Sequence, residues 1–346
     1  MSVKRVTSQD VADAAGVSRT TVSLVLNDVQ GIQISEGTRK RVIAAAQQLD
    51  YVPDAAARAL ASRRAQIIGL VLTRSPHHIA SDAFLTQILD GLISVIRRHG
   101  MRLLIDIIEP EHQKEAYLQL VRAKHIDGVI LSGPRFDDQA LRALEDDGFP
   151  TVLMGQLPGT NLSSVDVDNR SAAREAVEHL QNLGHERIAC ITNAPCLYTA
   201  ADERLSGYRD ALENVGLPYN EDVVRYGDFS IGSGYQQMTE LIASGAQFTA
   251  AFIASDEVAL GAKAALREAG MLVPDDVALV GFDDLPMAFY TDPPLTTVQV
   301  PAVELAQQAS ELVLELLKGH QVTKRKIILD THLVVRKSCG AYLAKQ

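Results

Sequence analysis

Polar and aromatic side chains follow several short apolar segments of the chain, each of which is predicted to be a strand. Alternation of such segments with helical stretches predicts parallel sheets, and the carboxyl ends of parallel strands form the usual ligand-binding edge. The candidate residues after these segments are Phe84, Ser132, Arg204, Ser255 and Asp283. An aromatic face can stack on a ligand ring, while charged groups and hydroxyls bind pairs of ligand hydroxyls. The set therefore predicts a binding site for a neutral polyol or a sugar.

Adjacent carboxylates at Asp283 and Asp284 could also indicate acid–base catalysis. No nucleophile or cluster of metal ligands accompanies them in the sequence. The pair His77-His78 has no cysteine or carboxylate partner at metal-ligand spacing, which favours solvated loop histidines. The sequence contains neither a G-x-G-x-x-G motif after a strand nor a G-x-x-x-x-G-K-[ST] loop. We therefore predict a protein that is not an enzyme and that binds neither a metal nor a cofactor.

The length and the charge distribution indicate two unlike parts. The chain has 346 residues, which is enough for about two domains, and it carries a net charge of −10. Residues 1–64 contain nine basic and six acidic side chains and so carry +3, which leaves a strongly acidic remainder. A basic end on an acidic body is typical of a protein that binds a polyanion through that end only.

The composition excludes several other classes of protein. With 47% hydrophobic and 22% charged residues, the chain is ordinary for a globular protein, and disorder of its bulk is excluded. No apolar run reaches the roughly 20 residues that span a bilayer, and the N-terminus lacks the apolar block of a secretory signal. The cysteines Cys190, Cys196 and Cys339 are an odd number without metal-like spacing, which fits reduced thiols. These features predict a cytoplasmic protein without a membrane partner.

The N-terminal region predicts a helix-turn-helix. Thr7 and Asp10 have the spacing of a capping box, and Gly16 is suited to end the helix that they open. Ser18 is positioned to cap a second helix, and Ser35 to open a third. Two short helices joined by a turn that contains glycine can place the second helix in the major groove of DNA.

Two adjoining sequence blocks carry a family resemblance. VTSQDVADAAGVSRTTVSLVLND and SEGTRKRVIAAAQQLDYVPDAAARALASRRAQIIGLV closely resemble the N-terminal region of the LacI/GalR family of bacterial transcription regulators. The resemblance implies that the second helix reads bases through Arg19, Thr20 and Leu24, and an arginine can form two hydrogen bonds to guanine. Leu24 departs from the polar or basic residue of many members, so it is expected either to contact a thymine methyl or to pack. The side chains expected to contact the DNA backbone are Thr7, Ser18, Thr21, Ser23 and Asn27. Alternatively, these side chains are only helix caps and solvated polar positions.

The second block includes an alanine-rich segment after Pro53. Taken alone, this segment is a linker, because so short a helix is marginal in water. The resemblance implies instead a hinge helix that folds when two copies pair on DNA, with Ala57 and Leu60 as its minor-groove residues. Leu60 is expected to act as an apolar wedge that unstacks a base step and kinks the duplex.

From residue 66 onward the pattern predicts a two-lobed α/β body. The series of strands and helices occurs twice, which predicts two doubly wound parallel sheets that face a cleft. The expected division is a DNA-binding domain at 1–52, a hinge at 53–65 and an effector-binding and dimerisation domain at 66–346. The lobes are expected at about 66–163 plus 300–325 for the first and about 164–299 plus 326–346 for the second.

The family resemblance extends to this body, which looks like a periplasmic-binding-protein-like domain. It implies that the chain crosses between the lobes three times and that Arg204 and Asp283 contact the effector. Ser255 stands where many members have asparagine, and Phe84 lies in an aromatic run that is only partly kept. Both departures leave the identity of the effector open.

The leading hypothesis is a dimeric repressor that binds a near-palindromic operator in double-stranded DNA and responds to a small-molecule effector. The first choice for this effector is a carbohydrate, either a sugar or a sugar derivative such as a sugar phosphate. A purine or another small metabolite as effector, or a required corepressor, is the alternative within this class. A solute-binding module would need an export signal and no DNA-binding region, and an α/β enzyme would need a catalytic constellation. The protein is expected in the bacterial cytoplasm, associated with the nucleoid when it is bound to DNA.

Overall fold

The computed structural model of the protein describes residues 6–27, 33–52, 64–74, 82–108, 117, 119, 125–319 and 325–341. The expected hinge residues Ala57 and Leu60 lie outside the described residues, and so does the pair His77-His78. The chain divides into two compact units, Met1–Gln66 and Ile67–Gln346.

Three helices form the smaller unit: α1 (Ser8–Ala15), α2 (Arg19–Leu26) and α3 (Glu36–Gln48). They pack on one another around a small apolar core. Its buried members are Val11, Ala12, Ala15, Val22, Val25, Val42, Ala45 and Ala46. The helices α1 and α2, joined by a short turn, form the predicted helix-turn-helix.

The helix ends in this unit follow the predicted capping residues. The Asp10 N–H donates to Thr7 Oγ1, and the Asp10 carboxylate accepts from the Thr7 N–H at 2.7 Å, so the capping box is confirmed. Gly16 ends α1 with a φ of 66°, a left-handed conformation that suits glycine. Ser18 Oγ accepts from the Thr21 N–H at 3.1 Å and so fixes the start of α2.

The first lobe of the larger unit is built on a six-stranded sheet in which every neighbouring pair is parallel, in the order β11-β5-β4-β3-β1-β2. Alternate side chains of its strands enter two apolar clusters, because successive strand residues point to opposite faces. The elements are β1 (Ile67–Leu72), α4 (Ala83–Arg98), β2 (Arg102–Ile107), β3 (Gly128–Ser132), α5 (Gln139–Asp146), β4 (Thr151–Met154), β5 (Ser163–Val167), α11 (Ala302–Leu317) and β11 (Lys326–Leu329).

The second lobe repeats this plan with the strand order β12-β10-β9-β8-β6-β7. All its neighbouring strands are parallel except β12, which runs antiparallel to β10. The elements are α6 (Asn169–Asn182), β6 (Ile188–Thr192), α7 (Thr199–Asn214), a short 3₁₀ helix (Glu221–Val223), β7 (Val224–Tyr226), α8 (Ile231–Ala243), β8 (Ala250–Ile253), α9 (Asp256–Glu268), β9 (Ala278–Asp283), α10 (Pro286–Tyr290), β10 (Thr296–Gln299) and β12 (His332–Val334). The predicted two-lobed α/β architecture is confirmed.

The boundary between the lobes differs from the expected one. Residues from 164 onward and from 326 onward were expected in the second lobe, but β5 and β11 belong to the first sheet. The reason is hydrogen bonding: β5 pairs with β4 on one side and with β11 on the other, so both strands are held in that sheet. The described chain therefore passes between the lobes after Val167, after Gln299 and after Leu329, which gives the three crossings that the resemblance implies.

Candidate functional site

A cavity lies where the carboxyl ends of strands from both lobes face each other. The cavity is lined by all five side chains that were proposed from the sequence, namely Phe84, Ser132, Arg204, Ser255 and Asp283. The space measures about 960 Å³ with its open mouth included, which is in the range of small-molecule binding sites. Their assignment as effector contacts stays a prediction.

Arg204 is a buried cation on the α7 face that points into this cavity. Its Nε donates to Asn169 Oδ1 at 2.8 Å, and one terminal nitrogen donates to the Ala254 carbonyl oxygen at 2.6 Å. The same nitrogen lies 3.5 Å from Asp283 Oδ1, and the guanidinium carbon lies 3.8 Å from the centre of the Phe282 ring. These contacts from three strand ends fix the guanidinium plane before any ligand arrives.

Asp283 ends β9 in a conformation that is unusual for a residue other than glycine. Its φ of 108° lies in the left-handed region, which costs free energy and occurs most often at functional sites. Burial raises the pKa of Asp283 to about 7, and the guanidinium of Arg204 opposes that rise. The carboxyl is therefore held at the edge of the cavity by its backbone and partly neutralised by one cation.

The neighbouring acids Asp256 and Asp284 support the loop that carries Asp283. Asp256 is fully buried and accepts from Thr297 Oγ1 at 2.6 Å and from the Leu285 N–H at 2.8 Å. The Asp284 carboxylate accepts from the Arg336 guanidinium at 2.6 Å. Both contacts attach the segment after β9 to neighbouring strands, and neither acid lines the cavity.

Ser255 and Phe84 lie in different lobes, each at the start of a helix. Ser255 is the N-cap of α9, and its Oγ accepts from the Val258 N–H at 3.3 Å. Phe84 is half-buried near the start of α4 and packs against the large apolar cluster while also lining the cavity. Each side chain therefore combines a local structural contact with a place at the cavity wall.

Several cavity residues were missed from the sequence. The Asp82 carboxylate caps α4 by accepting a hydrogen bond from the Leu85 N–H at 2.6 Å. Its other oxygen accepts from the Arg74 guanidinium at 2.5 Å. Glu257 and Asp166 add two further acids to the lining. The signal that could have found Asp166 is its position near the carboxyl end of β5, at the edge where parallel sheets bind ligands.

The aromatic side chains Tyr198 and Phe229 of the second lobe were also missed. Their ring centres lie 4.9 Å apart in an edge-to-face arrangement, and both rings line the cavity. Arg135 of the first lobe lies 5.0 Å from the Tyr198 ring, and Arg74 of the first lobe lies 5.2 Å from the Phe229 ring. The two lobes therefore meet through a layer of alternating cations and aromatic rings.

Several hydrogen bonds also join the lobes beside the cavity, including those between residues 134–136 and residues 197–199. The hydroxyl of Tyr198, at the start of α7, donates to the Thr73 carbonyl oxygen after β1. The Glu257 carboxylate of α9 accepts from the Ala83 N–H at the start of α4 at 2.6 Å. Side chains of the second lobe therefore hydrogen-bond to the backbone of the first lobe beside the cavity.

The proposed DNA-contacting side chains lie on α1 and α2. Arg19 and Thr20 are exposed in the first turn of α2, whereas Leu24 is half-buried one turn later. The side chains expected at the DNA backbone all make local contacts: Thr7 and Ser18 are N-caps, Ser18 also bonds Thr21, and Asn27 Nδ2 donates to Ser23 Oγ at 3.1 Å. Hydrogen-bonded caps can also contact phosphate, so both interpretations from the sequence remain open.

The described residues contain neither a candidate metal centre nor a helix that could span a membrane. No three histidine, cysteine, aspartate or glutamate side chains of that part of the chain are grouped so that they could hold a metal ion. Within the same residues, no helix has the length and the apolar character to cross a membrane.

Comparisons with known proteins match both units. Residues 7–54 match the profile of the family described as bacterial regulatory proteins, lacI family, and residues 177–339 match the periplasmic binding protein-like domain. The HTH-type transcriptional regulator CelR of Thermobifida fusca is 36% identical over 338 residues, which covers 97% of this chain and 98% of that protein.

Two solved structures are similar over nearly the whole chain. The structure of a transcriptional regulator CelR–cellobiose complex has a TM-score of 0.74 and 34% sequence identity, covering 96% of this chain and 100% of its own. The lac repressor dimer bound to operator and the anti-inducer ONPF has a TM-score of 0.84 and 32% identity, covering 97% and 99%. These matches confirm the resemblance first seen in the N-terminal blocks, and the chain belongs to the LacI family of bacterial transcriptional regulators.

Proposed function

We propose that the protein is a dimeric repressor whose affinity for operator DNA is controlled by a sugar bound between the two lobes. The observation that carries this proposal is the cavity itself, where five side chains selected from the sequence meet from both lobes. Phe84 supplies a ring face, Arg204 and Asp283 supply charged partners for hydroxyl pairs, and Ser132 and Ser255 supply hydroxyls. The similar structure of a CelR–cellobiose complex supports a sugar as the class of effector.

Effector binding is coupled to DNA binding through the lobes. A ligand that contacts both lobes binds one arrangement of the lobes more tightly than the others. The ratio of these affinities sets how far the ligand can change the affinity for operator DNA. Thermodynamic linkage requires that operator DNA change effector affinity by the same factor. The protein acts in this way by binding alone, without catalysis, in the bacterial cytoplasm and on the nucleoid when it is bound to DNA.

The DNA-binding half of the proposal rests on α2 and on the hinge. Arg19, Thr20 and Leu24 read base edges in the major groove, while Ala57 and Leu60 contact the minor groove between the two half-sites. The lac repressor dimer on its operator supports a pair of recognition helices on a near-palindromic site, about one helical turn apart. Side chains at the start of α1 and along α2 set the register through phosphate contacts.

The proposal is tested first by selecting sequences from random duplex DNA with the purified full chain at a stated salt concentration. We expect an enriched near-palindrome. Its affinity is then measured by fluorescence anisotropy with and without sugars, beginning with cellobiose, ribose and galactose. A sugar that changes operator affinity, and whose own affinity changes reciprocally when operator is present, meets the expectation.

Other results would correct specific parts of the proposal. No enriched site, either alone or with a pool of metabolites as a source of corepressor, contradicts sequence-specific DNA binding. An enriched site whose affinity responds to a purine and to no sugar contradicts the effector class but not the regulator. A single half-site without palindromic symmetry contradicts the dimer.

A further inference from the structure

We infer that the effector is an uncharged polyhydroxy compound and that the cavity rejects phosphorylated sugars, because each cation among its described lining residues is already paired with a carboxylate. The inference rests on the proposed function, since it assigns the chemical class of the ligand that the cavity takes. It decides between a neutral sugar, a sugar phosphate and a purine.

The two cations of the described lining are both occupied. Arg74 contacts Asp82 at 2.5 Å, and both side chains are largely buried. Arg204 faces Asp283 at 3.5 Å, with both side chains about nine-tenths buried, and it also donates to Asn169 and to the Ala254 carbonyl. A phosphate that accepts from the remaining N–H groups of either guanidinium would lie beside a buried carboxylate that already neutralises that charge, and the two anions would repel each other.

Acids outnumber cations in the described lining. After the two pairs are counted, Glu257 and Asp166 remain, and neither makes an ion pair within hydrogen-bond distance among the described residues. Burial raises the pKa of Asp166 to about 6 and the pKa of Glu257 to about 7, and the opposing effects of Arg204 on Asp166 and of Arg74 on Glu257 do not cancel that rise. A doubly charged phosphate group would meet this acidic excess at short range.

Arg135 is the other cation of the first lobe near the cavity, and it is also engaged. Its Nε and one terminal nitrogen donate to the two carboxylate oxygens of Asp137 at 2.9 and 2.8 Å. Its guanidinium also lies over the Tyr198 ring at 5.0 Å. It does not line the cavity, so it offers no alternative phosphate site there.

The remaining polar atoms favour a ligand that donates hydrogen bonds. Four carboxyl side chains line the cavity, and each accepts hydrogen bonds through its oxygens when it is ionised. Asn193, which is nine-tenths buried in the lining, has a side-chain oxygen that accepts no hydrogen bond from any described residue. Every hydroxyl of a polyol can donate or accept as these groups require, whereas a purine has fewer donors and fixed ring-nitrogen acceptors that would face ionised carboxylates unpaired.

The test measures binding of neutral and phosphorylated partners to the full chain. Glucose is compared with glucose 6-phosphate, and cellobiose and ribose with their monophosphates, by titration calorimetry and by release of the selected operator. We expect the affinity for the neutral sugar to exceed the affinity for its monophosphate by about a hundredfold or more, because a phosphate would lie close to groups of like charge. A pool of metabolites, with the bound compound identified by mass spectrometry, extends the comparison beyond these pairs.

A pair of variants separates the ion-pair argument from a simple lack of space. Asp82→Asn keeps an N-cap for α4 but removes the charge that pairs with Arg74. It should reduce the preference for the neutral sugar about tenfold, since a guanidinium becomes available to phosphate. Asp137→Asn frees Arg135, which does not line the cavity, and should leave the preference unchanged.

The outcomes separate this inference from the proposed function. Equal or tighter binding of a phosphorylated sugar, or an anion captured from the pool, overturns the neutral class and leaves the sugar-responsive regulator intact. Binding of purine bases without any polyol overturns the polyhydroxy class. If no small molecule changes operator affinity, the proposed function fails and the inference fails with it.

Discussion

The carboxylate of Glu257 accepts a hydrogen bond from the Ala83 N–H at 2.6 Å. Glu257 belongs to α9 of the second lobe, and Ala83 is the first residue of α4 in the first lobe. The N-terminus of a helix carries unsatisfied N–H groups and the positive end of the helix dipole, both of which favour a carboxylate. One titratable side chain therefore takes part in holding the two lobes together.

Replacement of Glu257 by glutamine should make stability less dependent on pH. Burial raises the pKa of Glu257 from the ordinary value of 4.5 to about 7. Because the folded pKa is the higher one, the associated stability is fully present below the unfolded pKa and is lost as the pH rises through about 7. Between pH 6 and pH 8 the wild type should lose about 1 kcal/mol more stability than Glu257→Gln, whose side chain still accepts but cannot ionise.

The measurement is urea unfolding of the full chain at the two pH values. Glu213→Gln, at an exposed glutamate of α7, is the matched control, and it should keep the pH dependence of the wild type. The other buried acids, Asp166 and Asp283, are present in every variant and cancel in the comparison. Identical pH dependence in Glu257→Gln and the wild type would exclude Glu257 as a titrating group of the folded state.

Removal of the Tyr198 hydroxyl should weaken closure of the lobes and with it effector binding. Tyr198→Phe removes the donor to the Thr73 carbonyl but keeps the ring that contacts Phe229 and Arg135. Loss of one such hydrogen bond is worth about 0.5–1.5 kcal/mol, so effector affinity should fall about twofold to tenfold. Titration calorimetry with the sugar that releases the operator measures this change.

Tyr208 provides the matched control for that variant. Its buried hydroxyl donates to the Ile188 carbonyl at 2.7 Å, and both residues lie in the second lobe. Tyr208→Phe should therefore lower the free energy of unfolding without changing effector affinity. If both variants lose the same stability and neither changes effector affinity, the Tyr198 hydroxyl has no role in closure.

The strands that were predicted well are those with continuous apolar runs. β1 and β4 coincide with the apolar runs Ile67–Leu72 and Thr151–Met154, because interior strands of a parallel sheet are buried on both faces and need apolar side chains. β2 (Arg102–Ile107) is instead an edge strand and is partly exposed. β10 and β12 were not delimited from the sequence, since they have only four and three residues and contain polar side chains. The limit between the lobes was misplaced because pairing of β5 with β11 joins residues far apart in the chain.

The site residues that could be predicted are those with a signal in the nearby sequence, whereas residues placed by contacts between distant segments could not be predicted. Arg204 and Asp283 could be found because each follows a strand of its own lobe and stands at a family position. Glu257 could not, since its contact with Ala83 depends on how one lobe faces the other, which spacing within a single strand–helix unit does not report. Asp82 was hidden because a helix-capping acid looks the same in the sequence whether or not an arginine pairs with it.

Conservative replacement of Arg204 should remove most of the effector response. Lysine keeps one charge but cannot hold Asn169, the Ala254 carbonyl and Asp283 together as the planar guanidinium does. Arg204→Lys should lower effector affinity by about tenfold or more and leave operator affinity without effector unchanged. Titration calorimetry and anisotropy measure the two affinities.

Arg170→Lys is the control for this variant, because Arg170 makes a two-point ion pair with Asp210 at a half-exposed position on the same lobe. Such exposed pairs contribute little, so both affinities should stay within about twofold of the wild type. An effector affinity in Arg204→Lys that matches the wild type would remove Arg204 from the proposed binding set.

Arg19 should determine base preference at one position of each operator half-site. It is exposed in the first turn of α2, where a guanidinium can reach the guanine edge in the major groove. Arg19→Ala should weaken binding to the selected operator by about 1–3 kcal/mol and broaden the sequence preference at that position when the selection is repeated. Arg41→Ala removes the same charge from an exposed position of α3, so it should weaken binding to all sequences about equally. If Arg19→Ala weakens all sequences equally as well, Arg19 contacts phosphate, and base reading in this protein must come from Thr20, Leu24 or another side chain.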